Sequence, residues 1–297
     1  VQASETIRKM LLAMVGDLRV ILIKLADKLH NMRTLGYKES NRRREIAQET
    51  LDIYAPLAGR LGISWLKTEL EDLSLKHLHP DLYQEIREFV SDKRTERSDY
   101  LDRIKSSIEK ASEEEGLPVV VESRAKHFYS IYLKLKRHGK SLDDIYDLLG
   151  VRVLCETTTQ CYQVLGLVHR LWPPIEGRFK DYVAMPKANR YQSLHTTVLG
   201  YEGKVIEIQI RTRDMHTTAE YGVAAHWLYK RRVPADRVKS NDLALIDKVR
   251  DLRDARITSG QFLDEIKREI LRDSIYVFTP KGDAIQLPKG ATAIDFA

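Results

Sequence analysis

The run KVIEIQIRT (204–212) holds the densest group of chemically able side chains in the chain. Read as a strand, it sends Glu207, Gln209 and Arg211 to one face and Ile206, Ile208 and Ile210 to the other. Three isoleucines in register require a core on their side. A carboxylate, an amide and a guanidinium then line the opposite face, although a solvated face closed by a Glu–Arg pair satisfies the same pattern. Asp147 offers a second carboxylate just ahead of the strand-like run Gly150 to Cys155. Two carboxylates on neighbouring elements suit Mg2+, with nucleotide phosphates completing its octahedron. A cation so held neutralises the charge that develops in phosphoryl transfer. Asp143 and Asp144 read as helix-surface residues.

The basic positions fit the same chemistry. Arg124, Lys126 and Lys134 fall on, or at the start of, a helix expected over about Arg124 to Arg137. Arg178, Lys180 and Lys187 share one loop, GRFKDYVAMPKANRYQ, in which Gly, Pro and Asn argue against a packing purpose. Lys as a point charge and Arg as a bidentate clamp suit a polyphosphate. Tyr191 offers a flat face to a purine, worth roughly 1–3 kcal/mol by analogy with base stacking, or a ring to a core. His195 is either a phosphate donor or a satisfied strand histidine. No G-x-x-x-x-G-K-[ST] or G-x-G-x-x-G occurs, so neither a P-loop nor a dinucleotide fold is supported. In KLADKLHNMRT, Asp27, His30 and Asn31 share a helix face at i, i+3, i+4, as a partial metal or ligand site would, or an ordinary surface pair.

These residues need elements to position them. At 297 residues the chain exceeds one ordinary domain, and 43% hydrophobic with 31% charged residues describes a soluble globular protein. Residues 1–78 read as helices, with Leu11, Leu12, Val15, Leu18 and Leu22 forming the first stripe. Further helices are expected over Arg43–Leu57, Trp65–Leu75 and Asp81–Glu115. PVVVES opens a strand, and GVRVLCE, SLHTTVLG and KVIEIQIRT give others. Helices over Tyr162–Leu171 and Met215–Lys230 complete an α+β unit with a mixed sheet. Residues 231–272 read as a charged helical connector, and the tail as the start of a β-hairpin turning at PKGD. From Arg124 to Lys230 sixteen Lys/Arg face ten Asp/Glu, an excess equal to the whole-chain charge of +6. Phosphate-rich partners, or a solvated basic face, follow from that. Two cysteines, Cys155 and Cys161, are too few for a disulfide framework and fit a reducing cytoplasm. No apolar run is long enough for a membrane helix, and the opening VQASETIRKM reads as a fragment starting inside a domain.

The stretches KLADKLHNMRTL, YAPLAGRLGI, GRFKDYVAMPKANRYQSLHTTV, IEIQIRT and MHTTAEYGVAAHW resemble, in order, the RelA/SpoT enzymes that make and degrade (p)ppGpp. The resemblance implies three parts: the end of an HD-type hydrolase domain with linking helices (1–79), a nucleotidyltransferase-like synthetase (80–262), and a connector with the first strands of a TGS domain (263–297). It implies that Asp147 and Glu207 are the synthetase acids. Asp147 would bind Mg2+, and Glu207 would share that metal or take the proton of the attacking 3′-hydroxyl of GDP or GTP. Tyr191 would stack on the acceptor guanine, and Arg124 and Arg152 would sandwich the adenine of ATP. Lys126, Lys134, Lys180 and Lys187 would hold phosphates, with Asn189, His195 and Gln209 as further acceptor contacts. The basic motif Arg178, Phe179, Lys180, Asp181 implies a bifunctional enzyme preferring GDP to GTP. Asp27 resembles the last Mn2+ ligand of the hydrolase and Asn31 a hydrolase substrate contact. The His and the HD pair that supply the other ligands in the family are absent here, so hydrolysis is not expected of this chain as written. Arg190 stands where the family often has Gly or an apolar residue. Ribosome and deacylated tRNA are implied partners through regions beyond this chain. A regulatory nucleotide-binding module with a silent synthetase, and transfer to RNA, are the competing readings.

Overall fold

The computed structural model describes residues 2–138, 141–142, 148–187, 189–225, 249, 251–253, 257–270, 274–278, 284–288 and 292. The apolar stripes of the first part form α1 (Gln2–Gly16), α2 (Leu18–Arg33), α3 (Ser40–Glu49), α4 (Ala55–Arg60) and α5 (Ser64–Leu78). The Asp17 carboxylate caps α2 by accepting the Arg19 N–H at 2.9 Å. Between α3 and α4 the helix widens into a π-turn over Thr50–Tyr54. Pro56, in the first turn of α4, has no N–H to give the preceding turn, and the wider turn absorbs the missing bond. Leu11, Ile21, Leu25, Met32, Leu57 and Leu70 are fully buried where these helices meet.

The long helix expected over Asp81–Glu115 is two helices, α6 (Pro80–Glu96) and α7 (Ser98–Glu114), interrupted at Arg97 with φ −105° and ψ 8°. The break lets Val90 of one and Leu101, Ile104 and Ile108 of the other enter a single core. A second difference concerns Arg124. Residues Val120–Ala125 form strand β1, and the helix α8 (Phe128–His138) starts only after it. Strand pairing decides this, since β1 runs antiparallel to β2 (Leu149–Cys155) with Glu122 opposite Arg152 and Arg124 opposite Gly150. The start of α8 is then fixed by Asp72 of α5, whose carboxylate accepts the backbone N–H of Tyr129 at 2.8 Å and that of Phe128.

After β2 come α9 (Thr158–Leu171), β3 (Lys180–Asp181), β4 (Leu194–Leu199), β5 (Val205–Thr212) and α10 (Arg213–Tyr221). Thr157 and Gln160 make a reciprocal capping box, which starts α9 ahead of the Tyr162 suggested by apolar spacing. The mixed sheet has the order β1-β2-β5-β4-β3, with β2 and β5 parallel and the other neighbours antiparallel. One face carries Val121, Val151, Val153, Leu194, Val198, Ile206, Ile208 and Ile210, all buried in the core shared with α7 and α9. The architecture is therefore α+β, a helical bundle followed by a mixed sheet flanked by helices. The helix expected to reach Lys230 stops at Tyr221, because Gly222 at φ 51° leaves the helical region; residues 226–230 lie outside the described residues. Of the connector expected over 231–272, the described part includes α11 (Ser259–Ile270), whose Phe262 and Ile266 pack in the helical core beside α1. Strands β6 (Ser274–Phe278) and β7 (Ala284–Pro288) pair antiparallel, as a hairpin requires, and the PKGD turn lies outside the described residues. No helix among the described residues is long and apolar enough to cross a membrane.

Helical bundle and sheet unit are joined by close backbone contact. The Val223 N–H donates to the Leu61 carbonyl at 3.0 Å, and a Cβ on Gly222 would collide with that carbonyl and with Gly62. Beside this joint, burial pushes the Glu71 carboxyl up to about 7 and the Asp72 carboxyl up to about 6, although Lys67, 3.7 Å from Glu71, and the α8 N–H groups oppose the shifts.

Two outcomes follow from this packing. A Cβ at position 150 would meet the Glu207 carbonyl oxygen at 2.8 Å across the parallel β2–β5 pair. Gly150→Ala should therefore cost about 1–3 kcal/mol of overpacking, read as a lowered thermal midpoint; an unaltered midpoint would show the strands can part freely. For Glu71, both states hold the proton below about pH 4.5, the unfolded chain alone releases it between 4.5 and 7, and above 7 the folded state carries a buried charge. Stability from this group is thus present in acid and lost as pH rises through about 7. Glu71→Gln should flatten that fall by as much as ~3 kcal/mol, seen as a higher midpoint than the unaltered chain at pH 8 but not at pH 4.5.

Candidate functional site: a cationic loop over a polar sheet face

The face of β5 opposite the isoleucines is not the solvated surface that alternation alone permits. Gln209 is 5% exposed and Arg211 1% exposed, and Glu207 keeps partial access to solvent. Register puts Glu207 between Gly150 of β2 and Thr197 of β4, and Gln209 between Arg152 and His195. Four strands thus deliver Arg124, Arg152, Glu207, Gln209, Arg211 and His195 to one polar face.

A short hydrogen-bonded chain organises the centre of that face. His195 Nδ1 lies 3.1 Å from Glu207 Oε1, and His195 Nε2 lies 2.8 Å from the Tyr191 hydroxyl. Burial pushes His195 below its ordinary pKa, so the ring is neutral and carries one N–H. An ionised carboxylate only accepts, so that N–H sits on Nδ1 and points to Glu207, leaving Nε2 to accept from Tyr191. Gln209 Nε2 donates to the same Oε1 at 3.1 Å. The His195 contact, helped by Gln209 and Lys126 and opposed by burial, holds the Glu207 carboxyl down to about 2. Both bonds end on Oε1, which leaves Oε2 as the free acceptor of an ionised carboxylate among the described residues, as an oxygen-ligated Mg2+ requires. Asp147, the expected second ligand, lies outside the described residues. Among the described residues no group of three or more His, Cys, Asp and Glu side chains is arranged to hold a metal.

The loop 177–192 stands over this centre. Lys187 and Tyr191 close it through a backbone bond of 3.2 Å, and the Asn189 side chain accepts the Tyr191 N–H at 3.3 Å while its Nδ2 donates to the Gly59 carbonyl at 3.2 Å. Lys187 Nζ lies 4.5 Å from the Tyr182 ring centre and 5.2 Å from that of Tyr191, and its side chain is exposed. Arg190 adopts φ 60°, a left-handed conformation that favours Gly, which accounts for glycine being acceptable there. In the RFKD motif the Asp181 side chain is the one with hydrogen bonds among the described residues. Its carboxylate accepts the N–H groups of Val183 and Ala184 and the Tyr162 hydroxyl, so it shapes the turn rather than facing a ligand. Arg178 and Lys180 are exposed, Lys180 pairs in register with His195, and Phe179 is 44% exposed with its edge toward His169.

Arg124 lies at the end of β1, Lys126 just beyond it, and Lys134 sits half-buried on α8. Arg152 Nη1 lies 3.7 Å from Glu220 and 3.9 Å from Glu122, its Nε is buried without a partner among the described residues, and burial beside Arg211 and Arg124 lowers its pKa to about 10. Away from this face, Asp27 and Asn31 do share one side of α2, with Asn31 Nδ2 3.5 Å from Asp27 Oδ1 and Lys24 3.7 Å from Asp27, all exposed. Sequence reasoning did not single out Glu220 and His216 of α10, or Tyr182. Strand alternation puts Arg211 on the polar face, but only the packing of α10 over β2 and β5 brings Glu220 and His216 to it.

Three family models match the chain: an HD domain over residues 1–64, the region found in RelA / SpoT proteins over 123–233, and a TGS domain over 275–297. The chain is 47% identical to a guanosine-3′,5′-bis(diphosphate) 3′-pyrophosphohydrolase of Borreliella burgdorferi, over 100% of this chain and 44% of that protein. It is also 47% identical to the bifunctional (p)ppGpp synthase/hydrolase RelA of Mycobacterium tuberculosis, over 99% of this chain and 41% of that protein. The chain thus spans less than half the length of these curated relatives. The small alarmone synthetase 2 of Bacillus subtilis aligns with 61% of this chain and 95% of its own at 24% identity and a TM-score of 0.39, too weak a likeness to argue from. With an HD segment, the RelA/SpoT region and a TGS start in one order, and near-half identity along its whole length, the chain belongs to the RelA/SpoT family.

Proposed function

We propose that the chain is a (p)ppGpp synthetase, transferring pyrophosphate from ATP to the ribose 3′-hydroxyl of GDP or GTP with release of AMP. The observation that carries this reading is the Tyr191–His195–Glu207 chain lying beneath a loop that presents Lys180 and Lys187. Tyr191 is the acceptor-base platform, and Asn189, His195 and Gln209 are further acceptor contacts. Arg124 and Arg152 bracket the donor adenine, and Lys126, Lys134, Lys180 and Lys187 take its phosphates. The preference for GDP over GTP is carried over from the family's association with the basic RFKD motif at Arg178 to Asp181. Mg2+ supplies charge neutralisation at the transferring phosphates, with Glu207 and Asp147 as its ligands. Relatives that carry synthase and hydrolase names support a bifunctional parent, in which Asp27 and Asn31 belong to a Mn2+-dependent hydrolase site. Ribosome and deacylated tRNA would engage regions beyond this chain, in the cytoplasm.

In the transfer the 3′-hydroxyl gives up its proton to water, its oxygen forms a bond to the β-phosphorus, the bond from that phosphorus to the α,β-bridging oxygen breaks, and AMP departs with the electron pair. A carboxyl held at about 2 is a weak proton acceptor at neutral pH, where a general base works best with a pKa near the ambient value. Glu207 therefore serves as a fixed negative charge and oxygen ligand, and His195 holds it in place. One observation favours the second reading, a nucleotide-binding module with a silent synthetase. The Asn189 amide is engaged by Gly59 of the helical part, so the acceptor loop is tied to a unit outside the sheet.

Incubation with ATP, GDP and Mg2+ separates the readings, since ppGpp and AMP are expected of a synthetase, while GDP binding without AMP favours the silent module. Labelled RNA product would point instead to transfer onto RNA. Glu207→Gln should lower ppGpp formation by at least about 10²–10³, and chelation of Mg2+ should abolish it. Near-normal turnover by the Gln variant would remove Glu207 from its role.

A further inference from the structure

Arg211 is the largest fully buried side chain in the described structure, and nothing in the proposed reaction uses it. It lies on β5 four residues beyond Glu207, on the same polar face. Its Nη2 donates to His216 Nδ1 at 2.6 Å and reaches Glu220 Oε1 at 3.3 Å, so α10 grips one end of the guanidinium. Its Nε is buried with no hydrogen-bond partner among the described residues. Leaving a buried donor unmet costs about 1–3 kcal/mol, so a guanidinium placed this way needs another attraction. The Tyr191 ring supplies it, with Arg211 Cζ 5.9 Å from the ring centre, inside the range of a cation–π contact. Two cations thus lie over one ring. Lys187 is exposed, on a flexible stem in the loop, whereas Arg211 is 1% exposed and anchored at two points.

We propose that Arg211 is a positioning residue for the acceptor nucleotide, fixing the Tyr191 ring from the sheet. The ring is then held at three points: Arg211 at its π-system, His195 at its hydroxyl, and the Lys187–Tyr191 backbone bond at its root. This inference rests on the reading of Tyr191 as the acceptor-base platform.

The test is a pair of KM values. In this chain Arg211→Lys should raise KM for GDP about tenfold and leave KM for ATP within about twofold. Placed in a Tyr191→Ala background, the same substitution should add less than about a twofold further effect, since the contact it removes is already gone. A merely structural arginine would raise both KM values together or act multiplicatively with Tyr191→Ala, and either result overturns the proposal, as does an unchanged KM for GDP. Should Arg211→Lys fail to fold, His216→Ala releases one anchor from a half-buried site and should move KM for GDP in the same direction; no movement overturns the proposal. If the unaltered chain forms no ppGpp, the synthetase reading itself fails. Calorimetric GDP binding by the same variants then decides the role of Arg211, with about tenfold weaker binding supporting it and equal binding overturning it.

Discussion

The whole site depends on one constraint, the two-sided character of β5. Ile206, Ile208 and Ile210 are each essentially inaccessible in the sheet core, so a slip of one residue would carry Glu207, Gln209 and Arg211 into that core and three isoleucines out of it. The cost of such a slip locks the register against β2 and β4 alike. Because β5 is central in the sheet, that register also sets which side chains of β1, β2 and β4 share the polar face with it. The close Gly150–Glu207 approach belongs to the same constraint, since the absence of a side chain at 150 is what lets the parallel strands meet at the carboxylate.

Much of this is legible in the sequence. The isoleucine alternation identified β5 and its polar face, and the GRFKDYVAMPKANRYQ loop announced itself by cations set among Gly, Pro and Asn. What could not be read was the covering of that face. Alternation distinguishes inside from outside only when one side is wet, and here α10 closes over Arg211 from the second side. Arg124 lies on a strand and not on the helix that its spacing suggests for a related reason. The segment ESRAKHFYSIYLKLKR carries a helical apolar period from Phe128 onward, and its strand portion is defined by pairing with a partner some thirty residues away, which local spacing does not report. The start of α8 is likewise set by Asp72, on a distant helix.

The hydrogen bonds of Asp181 explain why a motif can be diagnostic without every member facing the ligand. Its carboxylate spends three acceptor positions on Val183, Ala184 and Tyr162, so it forms the turn that leaves Arg178 and Lys180 in solvent. Tyr191, His195 and Glu207 divide their work in the opposite way. Each was recognisable as an able side chain, yet only the register of β4 on β5, with His195 opposite Gln209, puts the imidazole within reach of both the phenol and the carboxylate.

The helical bundle does more than precede the sheet. It supplies the Gly59 carbonyl to Asn189, the Leu61 carbonyl to Val223, and the Asp72 carboxylate to the first turn of α8. These three contacts reach the acceptor loop, the end of α10 and the helix bearing Lys134, which are the parts of the sheet unit that the β-ladder does not itself fix. Two of them are single hydrogen bonds to backbone carbonyls, each worth about 0.5–1.5 kcal/mol net, so they bias those parts without locking them. A face whose register is rigid, bordered by loop and helix ends held by such modest bonds, keeps its carboxylate in place while its cationic edge can still adjust to a polyphosphate. The division follows from where the large apolar side chains are, and not from the charges that do the chemistry.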